Sequence, residues 1–106
     1  MTDLTLNNLL AKAKLSLRVV TNAFNDEILD LLKSGVRDLE TRGVTVSKVV
    51  DDTEIVDPLV QKCLLTYVRI NFGDPADYER LKASFDEQLG QLMTTTGFTR
   101  WGNEQE

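Results

Sequence analysis

Residues 58–72 form a strongly apolar segment, and this segment limits the folds that the chain can adopt. It follows Asp57-Pro58 and ends at Gly73. Asp before Pro is typical of a helix start, because Asp caps the exposed amides and Pro fits the first turn. Apolar side chains cover most of the circumference of the predicted helix: Leu59, Val60, Cys63, Leu64, Leu65, Tyr67, Val68, Ile70 and Phe72. A helix that is apolar on nearly all sides is buried, so we expect it at the centre of a helical core.

Three more segments show the three- and four-residue spacing of amphipathic helices. We predict helices from about Leu6 to Leu17, from about Asp26 to Arg42 and from Pro75 to about Met93. The last of these carries one apolar stripe, made of Tyr78, Leu81, Phe85, Leu89 and Leu92. The fold class is therefore all-α, a compact bundle of four to five helices.

Glycine and asparagine give finer predictions for the second helix. Asn25 is the expected cap at its start, and Gly43 fits the left-handed position after its end. Glycine inside a helix costs up to about 1 kcal/mol relative to alanine. Gly35 therefore predicts a close contact with a neighbouring backbone.

The segment 44–57 between the second and third helices has two interpretations. It is either a surface loop with two or three apolar anchors among Val44, Val46, Val49 and Val50, or a short hairpin. Its composition favours the loop. We divide the chain into a helical domain, 1–97, and a flexible C-terminal tail, 98–106.

Composition narrows the functions that fit. The chain has 106 residues, enough for one domain. Its net charge of −5 argues against general nucleic-acid binding, which depends on Lys and Arg. Residues 1–50 carry a net charge of +1 and residues 51–106 one of −6, so opposite halves of two copies could attract each other. The N-terminus lacks signal-peptide features and no stretch is long enough to span a membrane, which predicts a cytoplasmic protein.

No residue pattern in the sequence indicates a reaction centre. Histidine is absent, which removes the commonest general base and metal ligand. Cys63 lies among apolar residues, where a thiol is usually inert packing. A cluster of carboxylates, Asp51, Asp52, Glu54 and Asp57, lacks the order of a calcium loop and is read as a solvated turn. We therefore predict no catalytic residues, no metal and no cofactor.

Several segments in a fixed order resemble a known family. They are Lys14–Val19, Asn25–Leu31, Asp57–Val60, Leu65–Gly73 and Asp77–Leu81, followed by Phe85 and Leu89. This order is similar to that of the small head–tail connector proteins, also called adaptor or head-completion proteins, of long-tailed bacteriophages and prophages. The resemblance covers residues 9–92 and none of its segments is catalytic.

The resemblance implies a helical fold without a cofactor and a structural role in the virion. Such subunits form a ring of about twelve copies beneath the portal protein, through head-to-tail contacts that close. The ring extends the DNA channel, lets DNA pass without sequence-specific binding, and docks downstream head-completion or tail proteins. Assembly takes place in the host cytoplasm, and no membrane is involved.

Three groups of residues are candidate partner contacts. The first is the basic set Lys12, Lys14 and Arg18 of the first helix. The second is Phe98, Arg100 and Trp101 of the tail, since Trp and Arg are enriched at interface anchors; alternatively, Trp101 folds back on its own helices. The third lies in the segment between helices two and three and comprises Val46, Lys48, Asp51 and Asp52. The rival interpretation is a small cytoplasmic helical interaction module, such as a regulator or an antitoxin-like partner.

Overall fold

The computed structural model describes residues 1–94, which form four helices and one antiparallel hairpin. In chain order the elements are α1 (Asp3–Leu17), α2 (Asn25–Thr41), β1 (Lys48–Val50), β2 (Thr53–Ile55), α3 (Pro58–Asn71) and α4 (Tyr78–Thr94). The predicted helical bundle is confirmed, with four helices in this part of the chain. None of these helices combines the length and the apolar character that crossing a membrane requires.

Helix α3 is the central element, as predicted. It packs against α1, α2 and α4, and its side chains Val60, Cys63, Leu64 and Val68 are 0% exposed. Burial on nearly all sides was nevertheless an overestimate, because Leu59 in the first turn is 43% exposed. The first turn of α3, with Pro58 and Leu59, is therefore exposed to solvent.

The beginnings of α1 and α2 differ from the sequence prediction. Helix α1 begins at Asp3 rather than Leu6, because the Thr2 hydroxyl caps it by accepting a hydrogen bond from the Thr5 amide at 3.2 Å. The predicted Asn25 cap of α2 was wrong. Phe24 occupies the capping position without a side-chain hydrogen bond, and Asn25 is already the first helical residue.

Helix α4 begins at Tyr78, three residues later than the Asp74-Pro75 pair predicted. Residues 74 and 75 have no regular structure and residues 76 and 77 form a turn. The Leu81 amide donates to the Asp77 carbonyl at 2.9 Å. Tyr78 is 42% exposed, so its placement in the apolar stripe was wrong. The other members of the stripe, Leu81, Phe85, Leu89 and Leu92, are buried as predicted.

The predicted close contact at Gly35 is present between α2 and α3. A methyl group built at Gly35 would lie 3.0 Å from Tyr67 Cδ1 and 3.2 Å from Leu64 Cδ2. The neighbours are therefore side chains of α3 rather than the backbone. Gly43 has a φ of +87°, as expected for the residue after a helix end.

Residues 44–57 contain a hairpin, so the preferred loop interpretation was wrong and its alternative was correct. Val49 lies opposite Glu54 and Val50 opposite Thr53, with Asp51 and Asp52 forming the turn. Val44, Val46 and Val56 anchor the segment in the core. The anchors therefore flank the two strands, while Val49 and Val50 are exposed.

Candidate protein-interaction surface

The hairpin is held to the start of α1 by the carboxylate of Glu54. This carboxylate accepts hydrogen bonds from the Thr2 amide at 2.8 Å, the Thr2 hydroxyl at 3.1 Å and the Ser47 hydroxyl at 3.0 Å. The N-terminal amino group lies 3.7 Å away. The backbone hydrogen bond from Thr2 is the main cause that lowers the pKa of Glu54 from 4.5 to about 2. Glu54 is therefore ionised at neutral pH and links two segments distant in sequence.

The outer surface of the hairpin is apolar as well as charged. Val49 is 72% exposed, Val50 49% and Ile55 47%. Val50 and Ile55 share one face, because cross-strand partners point to the same side and side chains alternate along a strand. A two-stranded hairpin also leaves strand edges unpaired. Clustered exposed apolar residues beside open edges are typical of a protein-binding surface.

Three non-glycine residues in the described part of the chain have a left-handed backbone: Arg18 (φ 59°), Asp51 (φ 51°) and Asp52 (φ 63°). Arg18 follows α1, where glycine is usual, and the two aspartates form a two-residue turn in which Asn-Gly or Asp-Gly is preferred. Side chains other than glycine raise the energy of this conformation. Each of the three positions carries a charged side chain, although glycine adopts this backbone conformation at a lower energy.

The basic residues of α1 do not form one patch. The Lys12 ammonium donates to Gln61 Oε1 of α3 at 2.7 Å, whereas the Lys14 ammonium donates to Asn22 Oδ1 of the α1–α2 connection at 2.8 Å. Residues two apart in a helix point to different faces. Arg18 is exposed at the end of α1. The three cations therefore lie in different environments.

The other candidate contacts divide by exposure. Lys48, Asp51 and Asp52 are exposed on the hairpin, whereas Val46 is 6% exposed and belongs to the core. Val46 is therefore not available to a partner in this conformation, since its apolar side chain anchors the segment before β1. Phe98, Arg100 and Trp101, with the whole predicted tail 98–106 and the domain boundary at 97, lie outside the described residues.

The carboxylates of the acidic cluster 51–57 make separate contacts. Asp57 Oδ1 caps α3 by accepting a hydrogen bond from the Leu59 amide at 2.9 Å, and Glu54 binds the start of α1. Residues 1–94 contain no group of three or more acidic, Cys or His side chains placed to hold a metal ion. Burial raises the pKa of Cys63 to about 11, which keeps this core thiol protonated at neutral pH.

The structure has a groove between α3 and α4 that the sequence does not predict. It is lined in part by Lys62 and Arg69 of α3 and by Arg80, Ser84 and Gln88 of α4. These cations come from two helices and are separated by acidic and apolar residues in the sequence. A periodicity or charge count along one segment therefore gives no signal for them.

A small helical bundle that exposes an apolar, charged hairpin and a basic groove has the features of a protein-binding scaffold. Comparison with known families identifies the protein family to which this scaffold belongs. The model of the phage connector protein family matches residues 9–98, and the chain belongs to this family. No curated protein and no solved structure gives a significant match.

Family membership confirms the resemblance seen in the sequence and gives the chain a coarse function. The family is one of structural phage proteins. The chain accordingly has a structural connector role, interacts with other phage head or tail proteins and belongs at the head–tail junction of the virion.

Proposed function

We propose that this chain is a non-enzymatic subunit of a ring that assembles beneath the portal protein. The ring contains about twelve copies in closed head-to-tail contact. It extends the DNA channel, binds no particular DNA sequence and docks the next connector or tail protein. The subunit is made in the host cytoplasm and ends in the virion.

The observation that supports this proposal best is the family match over residues 9–98. The exposed hairpin adds a physical reason. Head-to-tail contacts require two different surfaces that complement each other, and Val50 with Ile55 offers one apolar surface flanked by Lys48, Asp51 and Asp52. The unequal charge of the two halves of the chain, +1 and −6, favours contact between unlike surfaces.

Binding of the full chain to its cognate portal tests the proposal. We expect co-sedimentation of the wild-type chain with portal rings. When Val50 and Ile55 are both changed to serine, fewer copies should bind per portal, because contacts between neighbouring copies are weakened. Met93→Ser is the matched control, because Met93 is similarly exposed at 42% but lies at the far end of α4. Absence of any co-sedimentation by the wild-type chain would contradict the connector function.

The basic residues of α1 are a second proposed contact. Lys12, Lys14 and Arg18 changed together to glutamate should impair ring formation or portal binding. Lys33, Arg37 and Lys82, which are exposed, changed together to glutamate control for charge alone. Assembly equal to that of the wild-type chain would remove these residues from the interface.

The tail supplies the third proposed contact through Phe98, Arg100 and Trp101. Truncation after Gly97 should weaken binding to the portal or to the downstream protein and leave the helix content, measured by circular dichroism, unchanged. Equal binding by the truncated chain would exclude the tail as an anchor.

A further inference from the structure

The groove between α3 and α4 has a volume of about 420 Å³ and a basic lining. Lys62 and Arg69 contribute from α3 and Arg80 from α4. Leu65 and Pro58 add apolar surface to the same walls. Among the described residues, the lining contains three cations and no carboxylate.

Most of this positive charge is not neutralised within the described chain. Arg80 forms an ion pair with Asp77, and its hydrogen bond is the main cause that lowers the pKa of Asp77. Lys62 and Arg69 have no ion-pair partner among residues 1–94. Asp77 therefore offsets part of the charge of Arg80, and Arg69 also helps to lower the pKa of Asp77 through its charge. The positive charge that remains attracts a ligand with negative charge to the groove.

The uncharged part of the lining indicates which kind of anionic ligand fits. Pro58, Leu65 and Leu81 place apolar surface beside the three cations. A DNA phosphate offers only charged oxygens and nothing to cover that apolar surface. A polypeptide segment offers acidic and apolar side chains together, so the groove is better matched to an acidic peptide segment.

We propose that the groove receives the tip of the β1–β2 hairpin of a second copy. Asp51 and Asp52 face the three cations, and Val50 and Ile55 cover the apolar walls. The hairpin does not line this groove in its own subunit. Because groove and hairpin are different surfaces, the contact is head-to-tail and can repeat around a ring.

This contact rests on the proposed ring function and names its subunit interface. It also explains why two aspartates occupy a turn that prefers glycine: their carboxylates complete the groove of the neighbour. Glu54, on the opposite face from Val50, keeps the hairpin fixed to α1 while its tip is engaged.

Disulfide trapping between full-length chains tests the contact directly. Asp52→Cys in one copy and Ser84→Cys in another should form a disulfide at least ten times faster than Asp52→Cys with Glu87→Cys. Glu87 is an exposed α4 residue that does not line the groove, and the native Cys63 thiol is buried. Equal rates for the two pairs overturn the proposal.

Charge reversal supplies a second readout that does not depend on cysteine geometry. Lys62→Glu with Arg69→Glu should lower the association constant of the chain about tenfold, the effect of two partly exposed ion pairs. Mixing this variant with Asp51→Lys and Asp52→Lys should restore association in sedimentation velocity. Lys33→Glu with Lys82→Glu is the control of equal charge. Failure of the mixture to associate more strongly than the separate variants contradicts the contact.

Other occupants of the groove give different results. If the Lys62 and Arg69 variant loses binding to a short DNA duplex while its self-association is unchanged, the groove is a phosphate site and the proposal is overturned. If Ser84→Cys instead pairs with Glu104→Cys of the same chain, the tail occupies the groove and the proposal is again overturned. Portal co-sedimentation is scored separately, so a connector that binds the portal without this contact leaves the proposed function intact.

Discussion

The helical bundle and the hairpin of this protein are stabilised in different ways. In the bundle, Ile28, Leu32 and Leu64 are 0% exposed and belong to one continuous core. In the hairpin, Val49 and Val50 face solvent, and the contacts of Glu54 with the start of α1 are polar. Apolar burial dominates folding free energy, so most of the stability comes from the bundle, and the exposed side chains of the hairpin contribute little to it.

Substitutions in the two regions should therefore differ in the size of their effect on stability. Leu64→Ala should lower the free energy of unfolding by about 2–5 kcal/mol, through lost burial and the cavity left in the core. Val50→Ala should change it by less than about 0.5 kcal/mol, because an exposed side chain loses little on truncation. Urea denaturation measures both free energies of unfolding. A decrease for Val50→Ala as large as that for Leu64→Ala would show that the hairpin contributes to stability as much as the bundle core does.

The two helical glycines Gly35 and Gly90 sharpen the comparison within the bundle. Gly90→Ala should raise the free energy of unfolding by about 0.5–1 kcal/mol, since a methyl group there meets open space. Gly35→Ala should be less stable than Gly90→Ala by at least about 1 kcal/mol, because its methyl group presses on Tyr67 and Leu64. Equal melting temperatures would show that Tyr67 and Leu64 move aside without lowering the stability of the fold.

The left-handed residues should separate stability from binding. Arg18→Gly and Asp52→Gly should each raise the free energy of unfolding by about 1 kcal/mol or less, by relieving a conformation unfavourable to L-residues. Each should also weaken assembly, because a charge is lost from the surface. Asp30→Gly, inside helix α2, should destabilise instead. A glycine variant that gains stability and assembles like the wild-type chain would show that the charged side chain at that position is not needed for assembly.

The smallest expected effect is a local response to pH. Because the pKa of Glu54 falls from 4.5 to about 2 on folding, its stabilising contribution is present above pH 4.5 and is lost as the pH decreases from 4.5 to 2. The protection factors of the Thr2 amide and the hairpin amides, measured by NMR hydrogen exchange and corrected for the intrinsic rate at each pH, should then fall. Glu54→Gln should lack this transition. Identical pH profiles for the two proteins would exclude Glu54 as the link.

The sequence predicted the bundle better than its surface. Apolar periodicity identified all four helices and the central position of α3, because burial leaves a pattern along each segment. The helix starts predicted from Asn25 and from Asp74-Pro75 were wrong, because residue types that cap helices also favour turns. The hairpin was ambiguous because its apolar anchors lie outside the strands. The groove gave no signal, since its cations meet only when α3 and α4 pack.

Electron cryo-microscopy of the full chain mixed with its cognate portal tests the connector function most directly. We expect an added ring of small helical subunits beneath the portal, with each hairpin directed toward the α3–α4 groove of the adjacent subunit. Portal particles without added density, at chain concentrations well above those of the portal, would contradict the account.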